Sequence, residues 1–208
     1  MNRPGHQLDL ARDVLRSEAE AVLALADQVD DALLDCAGVL SECPGVIWVT
    51  GVGTSAAVGR RFAHILTDCG VRSMFLSPEQ GLHGHAGVMA TGEVLVALSR
   101  GGESDEVNQM VRMANDRGCI TVGLVHDTAS TLAQICDHRL PIQTRQELEL
   151  MGYVATTSSV AFSAICDAVA AVVLERTGYT PEDLSRSHPG GAVGRALDAD
   201  RPQGAEAT

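Results

Sequence analysis

The sequence predicts a single doubly wound α/β domain, an open parallel sheet with helices on both faces. Five apolar runs of strand length alternate with helix-like segments, which is the order of a parallel sheet built through crossover helices. The runs are continuous rather than alternating in polarity, as expected of strands buried on both faces. With 208 residues, 45% apolar and 20% charged, the chain can bury a real core but has no room for a second domain of ordinary size.

Residues 7 to 35 are rich in Ala, Leu, Val, Asp and Glu, and their apolar positions recur every three or four, so they read as one or two amphipathic helices. Cys43-Pro44-Gly45 breaks that pattern. The strand runs follow: VIWVT (46–50), VRSMFL (71–76), VLVAL (94–98), CITVGLV (119–125) and DHRLPI (137–142). Between them lie helix-like segments at 55–68, 104–117 and 129–136, and a long Ala/Val-rich one at 157–177. The expected organisation is an N-terminal helical segment (1–40), the α/β domain (41–197) and a disordered Ala/Gly/Pro/Asp-rich tail (198–208). In doubly wound sheets ligands sit beyond the carboxyl ends of the strands, where the connections diverge. That rule selects the loops at 51–55, 77–85 and 99–104.

Composition excludes several functions. A formal net charge of −12 with no basic run argues against nucleic-acid binding, because a polyanion is repelled. Six cysteines, at 36, 43, 69, 119, 136 and 166, form no C-x-x-C pair, so neither a zinc ribbon nor a redox dithiol is expected. They read as buried thiols in a reducing compartment. The start, MNRPGHQLDLARD, has no apolar leader, and no stretch is read as a membrane span of about 18 residues. The expected location is the cytoplasm, away from membranes.

The first loop, GVGTSAAVG, has the G-x-G-x-x-A spacing of a dinucleotide turn, yet Thr54 and Ser55 equally suit a single phosphate. A dinucleotide site needs a carboxylate after the second strand, and here Phe75-Leu76-Ser77 ends it, with Glu79 arriving only after Pro78. The second loop, LSRGGESDE (98–106), repeats the phosphate chemistry: Ser99 ends a strand, Gly101 and Gly102 permit close backbone approach, and Ser104 opens a helix with an acidic first turn. Ordinary capping explains Ser104 as well. A third hydroxyl run, ATTSS (155–159), with Thr156 and Thr157 foremost, opens the long apolar helix. Three phosphate-suited loops in one domain favour a phosphate pocket over a dinucleotide site.

Together GVGTSAAVGRR, SRGGESDEV, ATTSS and GYTPEDLSRSHPGGAVGRAL resemble the sugar isomerase (SIS) domain of the D-arabinose 5-phosphate isomerase family, over about residues 10–197. The resemblance implies a flavodoxin-like five-stranded parallel sheet and a homotetramer with active sites where subunits meet. It also implies cofactor-free aldose–ketose isomerisation of a phosphorylated sugar, D-arabinose 5-phosphate to D-ribulose 5-phosphate, through an enediol. The family's catalytic glutamates then fall on Glu106 and Glu147 and its histidine on His188. Glu147 would move the proton between C1 and C2. His188 would open the ring and exchange the hydroxyl protons, since histidine transfers protons near neutral pH. Glu106 would orient a partner or a sugar hydroxyl.

Ser55, Thr54, Ser99, Arg100, Gly102, Ser104, His83, Thr156 and Thr157 are the expected substrate and phosphate contacts, with no metal and no cofactor. His83 matches a family histidine, whereas His85 stands where an aspartate is common. Thr54 occupies the place of a family lysine and Arg100 that of an asparagine, so Arg100 is expected to restore the missing charge. The family's CBS modules have no counterpart here. Two alternatives stay open: isomerisation of another pentose, hexose or heptose phosphate, and a non-catalytic phosphosugar sensor. A sensor that regulates transcription needs a basic DNA-binding segment, which the acidic first 40 residues do not supply.

Overall fold

The computed structural model of the chain describes residues 4–145, 149–188 and 190–199. Its centre is a parallel sheet of five strands: β1 (Ile47–Gly51), β2 (Ser73–Phe75), β3 (Val94–Ser99), β4 (Ile120–Val125) and β5 (His138–Pro141). Their order is β2-β1-β3-β4-β5, the flavodoxin-like arrangement. Helices α1 (Pro4–Ala26), α2 (Asp31–Ser41), α3 (Gly53–Asp68) and α7 (Thr157–Thr177) belong to one face. On the other are α4 (Pro78–Leu82), α5 (Asp105–Asp116) and α6 (Thr131–Ile135). After α7 come α8 (Pro181–Ser187) and α9 (Gly191–Ala199).

Each central strand serves two cores at once. β1 and β3 pair in register from Ile47↔Val94 to Gly51↔Leu98, and both are buried throughout. Alternation then sends Ile47, Val49, Val94, Val96 and Leu98 into the core under α2, α3 and α7. Trp48, Leu95 and Ala97 go to the core under α5 and α6. Because both faces are covered, the runs read as continuously apolar in the sequence.

The strands and α3, α5 and α7 follow the expectation to within about two residues, whereas the N-terminal helices begin at Pro4 and run to Ser41 rather than spanning 7–35. The N-terminal region resolves into two helices, because Asp30 accepts the Ala32 N–H and starts a new helix. Three helices, over 78–82, 181–187 and 191–199, have no counterpart among the expected elements. Local chemistry starts two of them: Ser77 accepts from the Gln80 N–H ahead of Pro78, and Thr180 forms a reciprocal box with Asp183 ahead of Pro181.

One expectation needs correction. Helix α7 is long and apolar enough to cross a membrane by length and composition. Half of that apolar stretch is buried, and α7 packs on α1, α2 and α3, so its apolarity is that of a central packing helix.

The six cysteines are free thiols, four buried and two half-buried. Burial pushes Cys36 and Cys136 up to about 12, so neither is a ready nucleophile at neutral pH. The order of the strands reverses between β1 and β3. Their carboxyl ends therefore open a crevice, floored by the turns into α3 and α5.

Candidate functional site

The turn from β1 into α3 is drawn tight by Gly51. A Cβ there would stand 3.1 Å from the Leu98 carbonyl and 3.2 Å from the Ser55 backbone, so a larger residue would push the end of β3 or the start of α3 back by a few tenths of an ångström. Val52 occupies the cap position and offers no side-chain acceptor to the first amides of α3. Those amides, with Thr54 and Ser55 among them, present a positive helix end to the crevice.

The 99–104 loop is held from within. Ser99 Oγ accepts from the Gly102 N–H at 3.1 Å and lies 3.4 Å from Ser104 Oγ. Gly102 has a φ of +69°, its carbonyl accepts from Asn108 Nδ2 and the Leu132 N–H, and a Cβ on it would strike Ser130. Ser99 and Gly102 thus fix the shape of the loop, and the Ser99 O–H remains a donor. Ser104 stands at the start of α5 but makes no capping bond, leaving its hydroxyl near Ser99.

Between these turns and α7 is a small pocket of about 20 Å³, room for one small group and not for a whole sugar. Thr54, Ser55, Ser158 and Ser159 give it four hydroxyls, Arg100 a cation, and Phe162 an apolar wall. The Arg100 guanidinium donates no hydrogen bond to any described residue, and its buried Nε is without a partner. Among the described residues the carboxylate paired with it is Glu149, whose Oε1 is 4.0 Å from Nε. An unbonded guanidinium among hydroxyls is the donor set that an oxyanion completes.

The α7 start differs from the sequence reading. Thr157 is buried, and the Thr156 N–H and hydroxyl face Glu149 at 2.7 and 3.4 Å. Ser158 and Ser159 reach the pocket in their place, on the same helical face as Ala155 and Phe162. Glu149, two positions beyond the expected catalytic Glu147, has no role of its own in the sequence reading. Its carboxylate is buried and accepts from the Thr156 and Ser158 amides at 2.7 and 3.0 Å.

On the other side of the Gly51–Gly53 turn lies a wider concavity of about 420 Å³. Glu106, from the first turn of α5, and His83, from the end of α4, both line it, with Ser77 and Glu79 beside them. Among the described residues no group of three or more His, Cys, Asp or Glu side chains gathers around a point that a metal ion could take.

His188 is elsewhere. It ends α8, with Nδ1 3.1 Å from Ser187 Oγ and 3.3 Å from the Leu184 carbonyl, and Nε2 3.6 Å from Asp68 Oδ1. Asp68 is the last residue of α3 and Ser55 one of the first, so within one chain about 20 Å of helix separates His188 from the pocket. Glu147 lies outside the described residues. The structure thus brings Thr54, Ser55 and Arg100 together, sets Glu106 and His83 across the turn from them, and leaves His188 apart.

Residues 40–172 match the SIS domain family. The curated arabinose 5-phosphate isomerase KdsD of Escherichia coli (strain K12) is 29% identical over 196 residues, 94% of this chain and 60% of the relative. The chain spans about three fifths of the length of the curated relatives it matches. Among solved structures, a candidate sugar-phosphate isomerase from Listeria monocytogenes str. 4b F2365 superposes with a TM-score of 0.88 at 27% identity, covering 91% of this chain and 100% of that one. A protein of E. coli CFT073 in complex with arabinose 5-phosphate superposes with a TM-score of 0.85 at 26% identity, over 91% and 100%.

Proposed function

Because the chain belongs to the SIS domain family, we propose that it is a phosphosugar aldose–ketose isomerase, interconverting D-arabinose 5-phosphate and D-ribulose 5-phosphate through an enediol. The observation that carries this reading is the unbonded Arg100 guanidinium among the hydroxyls of Thr54, Ser55, Ser158 and Ser159. A phosphate dianion supplies the acceptor that the guanidinium lacks, and the uncapped first turn of α3 adds a favourable field. The arabinose 5-phosphate bound to the E. coli CFT073 relative supports the substrate class, and the names of the curated relatives support the reaction.

With its phosphate in the small pocket, the sugar chain runs over the Gly51–Gly53 turn toward the wider concavity. Glu106 and His83 stand there to hold hydroxyls. Ring opening moves the O1 proton to the ring oxygen, and His188 is the group assigned to that exchange. Glu147 then removes the C2 proton of the aldose. The C2–H pair becomes the C1–C2 π bond of the enediol, and the carbonyl oxygen gains a proton from His188. Return of the proton to C1, with loss of the O2 proton, gives the ketose, so the reaction balances without an external electron carrier.

His188 can serve this pocket only from a second copy, since in its own chain it sits at the far end of α3. We therefore assign the active unit to a homo-oligomer with shared sites, a homotetramer by the resemblance. The exposed Leu8, Leu15 and Leu23 of α1 support association.

Solvent deuterium uptake at C1 or C2, followed by NMR on a panel of pentose, hexose and heptose phosphates, tests the reading. Exchange with arabinose 5-phosphate is expected. Exchange only with another sugar phosphate would reassign the substrate. Binding with no exchange for any sugar would replace the enzyme with a sensor.

A further inference from the structure

We propose that Glu149 is a positioning residue of the anion pocket, a built-in carboxylate that fixes the Arg100 side chain for phosphate. The proposal rests on the phosphosugar reading of the pocket and deepens it. Glu149 replaces the cap that α7 lacks. Thr156, at the cap position, makes no side-chain cap bond, and the carboxylate seven residues upstream takes the Thr156 and Ser158 amides instead. The same residue ties down the loop between: the Gly152 N–H donates to its carbonyl at 2.9 Å, and the Leu150 N–H reaches Thr156 Oγ1 at 3.4 Å.

That placement has two consequences for a ligand. The first amides of α7, which would suit a phosphate, are already occupied by a negative charge. An incoming phosphate must therefore use the hydroxyl side of the helix, Ser158 and Ser159, together with Ser55 and Arg100. Secondly, the Glu149 side chain is 1% exposed and its Oε1 lies 4.0 Å from Arg100 Nε, too long for a hydrogen bond but close enough for a strong attraction away from water. A free arginine samples many rotamers. Held from behind through Nε, it keeps its remaining donors free, because none bonds to a described residue. Thr54 cannot supply a charge, so the pocket's cation is only as well placed as its carboxylate partner makes it.

A double-mutant cycle tests this. The dissociation constants of arabinose 5-phosphate and of inorganic phosphate are measured by calorimetry for the full chain, Glu149→Gln, Arg100→Ala and the pair, with the Tm of each. Arg100→Ala is expected to weaken both probes about tenfold or more, and Glu149→Gln about fivefold, while the pair binds within about twofold of Arg100→Ala alone. If Glu149 served only to cap α7, Glu149→Gln would lower Tm and either leave binding unchanged or weaken it equally in the Arg100→Ala background. Either result overturns the proposal. Should Glu149→Gln fail to fold, Glu149→Asp keeps the charge, withdraws it by one methylene, and carries the same expectation. Coupling seen with inorganic phosphate but no binding of arabinose 5-phosphate would uphold the proposal and overturn the substrate assignment. No binding of either probe by the unmodified chain would overturn both.

Discussion

Arg100 is the residue on which the chemistry of the pocket turns. Its loop position directs it between the turns into α3 and α5, and Thr54 across from it is neutral. A charge-assisted hydrogen bond contributes about 1.5–3 kcal/mol. Arg100→Ala should therefore raise KM for a phosphosugar about 10- to 100-fold, with a smaller change in kcat, because the phosphate is bound equally in ground and transition states. Steady-state kinetics on a matched pair of preparations reads the split, and a loss in kcat alone would move Arg100 from phosphate to the reacting end. Glu93 acts at the opposite end of the sheet, beside the amino ends of β1 and β3. Burial pushes its carboxyl up, but hydrogen bonds from Trp48 Nε1, Val46 N–H and Ala90 N–H, with Arg72 nearby, outweigh this and hold it below the ordinary value of 4.5. A folded-state value below the unfolded one gives stability that is present above about pH 4.5 and lost as the pH falls through the lowered value. Glu93→Gln should then lower the urea midpoint at pH 7 and reduce the further loss as the pH falls below about 4.5. Parallel acid sensitivity in both proteins would count against the carboxylate.

Among the elements, α8 shows how little sequence is needed to start a helix and how much hangs on it. Seven residues cannot hold a helix by propensity alone. Thr180 and Asp183 satisfy each other's backbone donors, and the chain then delivers His188, whose N–H donates to the Leu184 carbonyl at 3.1 Å. Thr180→Ala should cost about 1 kcal/mol of local stability. Faster amide hydrogen exchange over 181–188, with the sheet unchanged, is the expected signature, and uniform exchange across the chain would show that α8 is not an independent unit. The central strands β1, β3 and β4 were legible because both of their faces are buried, so each wrote a continuous apolar run into the sequence, whereas the half-buried edge strands β2 and β5 carry polar residues within theirs. Among the helices of five to nine residues only α6 was read, and α4, α8 and α9 were not, since hydrophobic period needs a window of about eleven or more. The same limit explains the site. Thr54, Ser55 and Arg100 follow from the rule that ligands meet strand ends, whereas the choice of Ser158 and Ser159 over Thr156 and Thr157 depends on the rotation of α7. Glu149 had no signal of its own, because a carboxylate becomes a cap only when the tertiary fold carries a helix start to it.

At the scale of the whole molecule, the distance between His188 and the pocket makes a prediction that no single chain can satisfy. Within one chain the histidine sits at one end of α3 and the phosphate-suited turn at the other, about 20 Å away, while Glu106 stands by the turn. If both residues act on one sugar, a site draws its pocket and Glu106 from one copy and its histidine from another. Glu106→Gln and His188→Ala should each be nearly inactive alone. Mixed, unfolded together and refolded, they form sites at random, and a site is intact when a His188→Ala chain supplies the pocket and a Glu106→Gln chain the histidine. Equal mixing makes that about one site in four, so about a quarter of the unmodified activity should return. The recovered activity should fall on dilution, as the assembly dissociates, along the same curve as the unmodified protein. Recovery near zero, with both variants assembling normally, would place the two residues in one copy's site and require α8 and α9 to move toward the pocket. A quarter recovered would make the oligomer the catalytic unit, with α3 the spacer that sets its geometry.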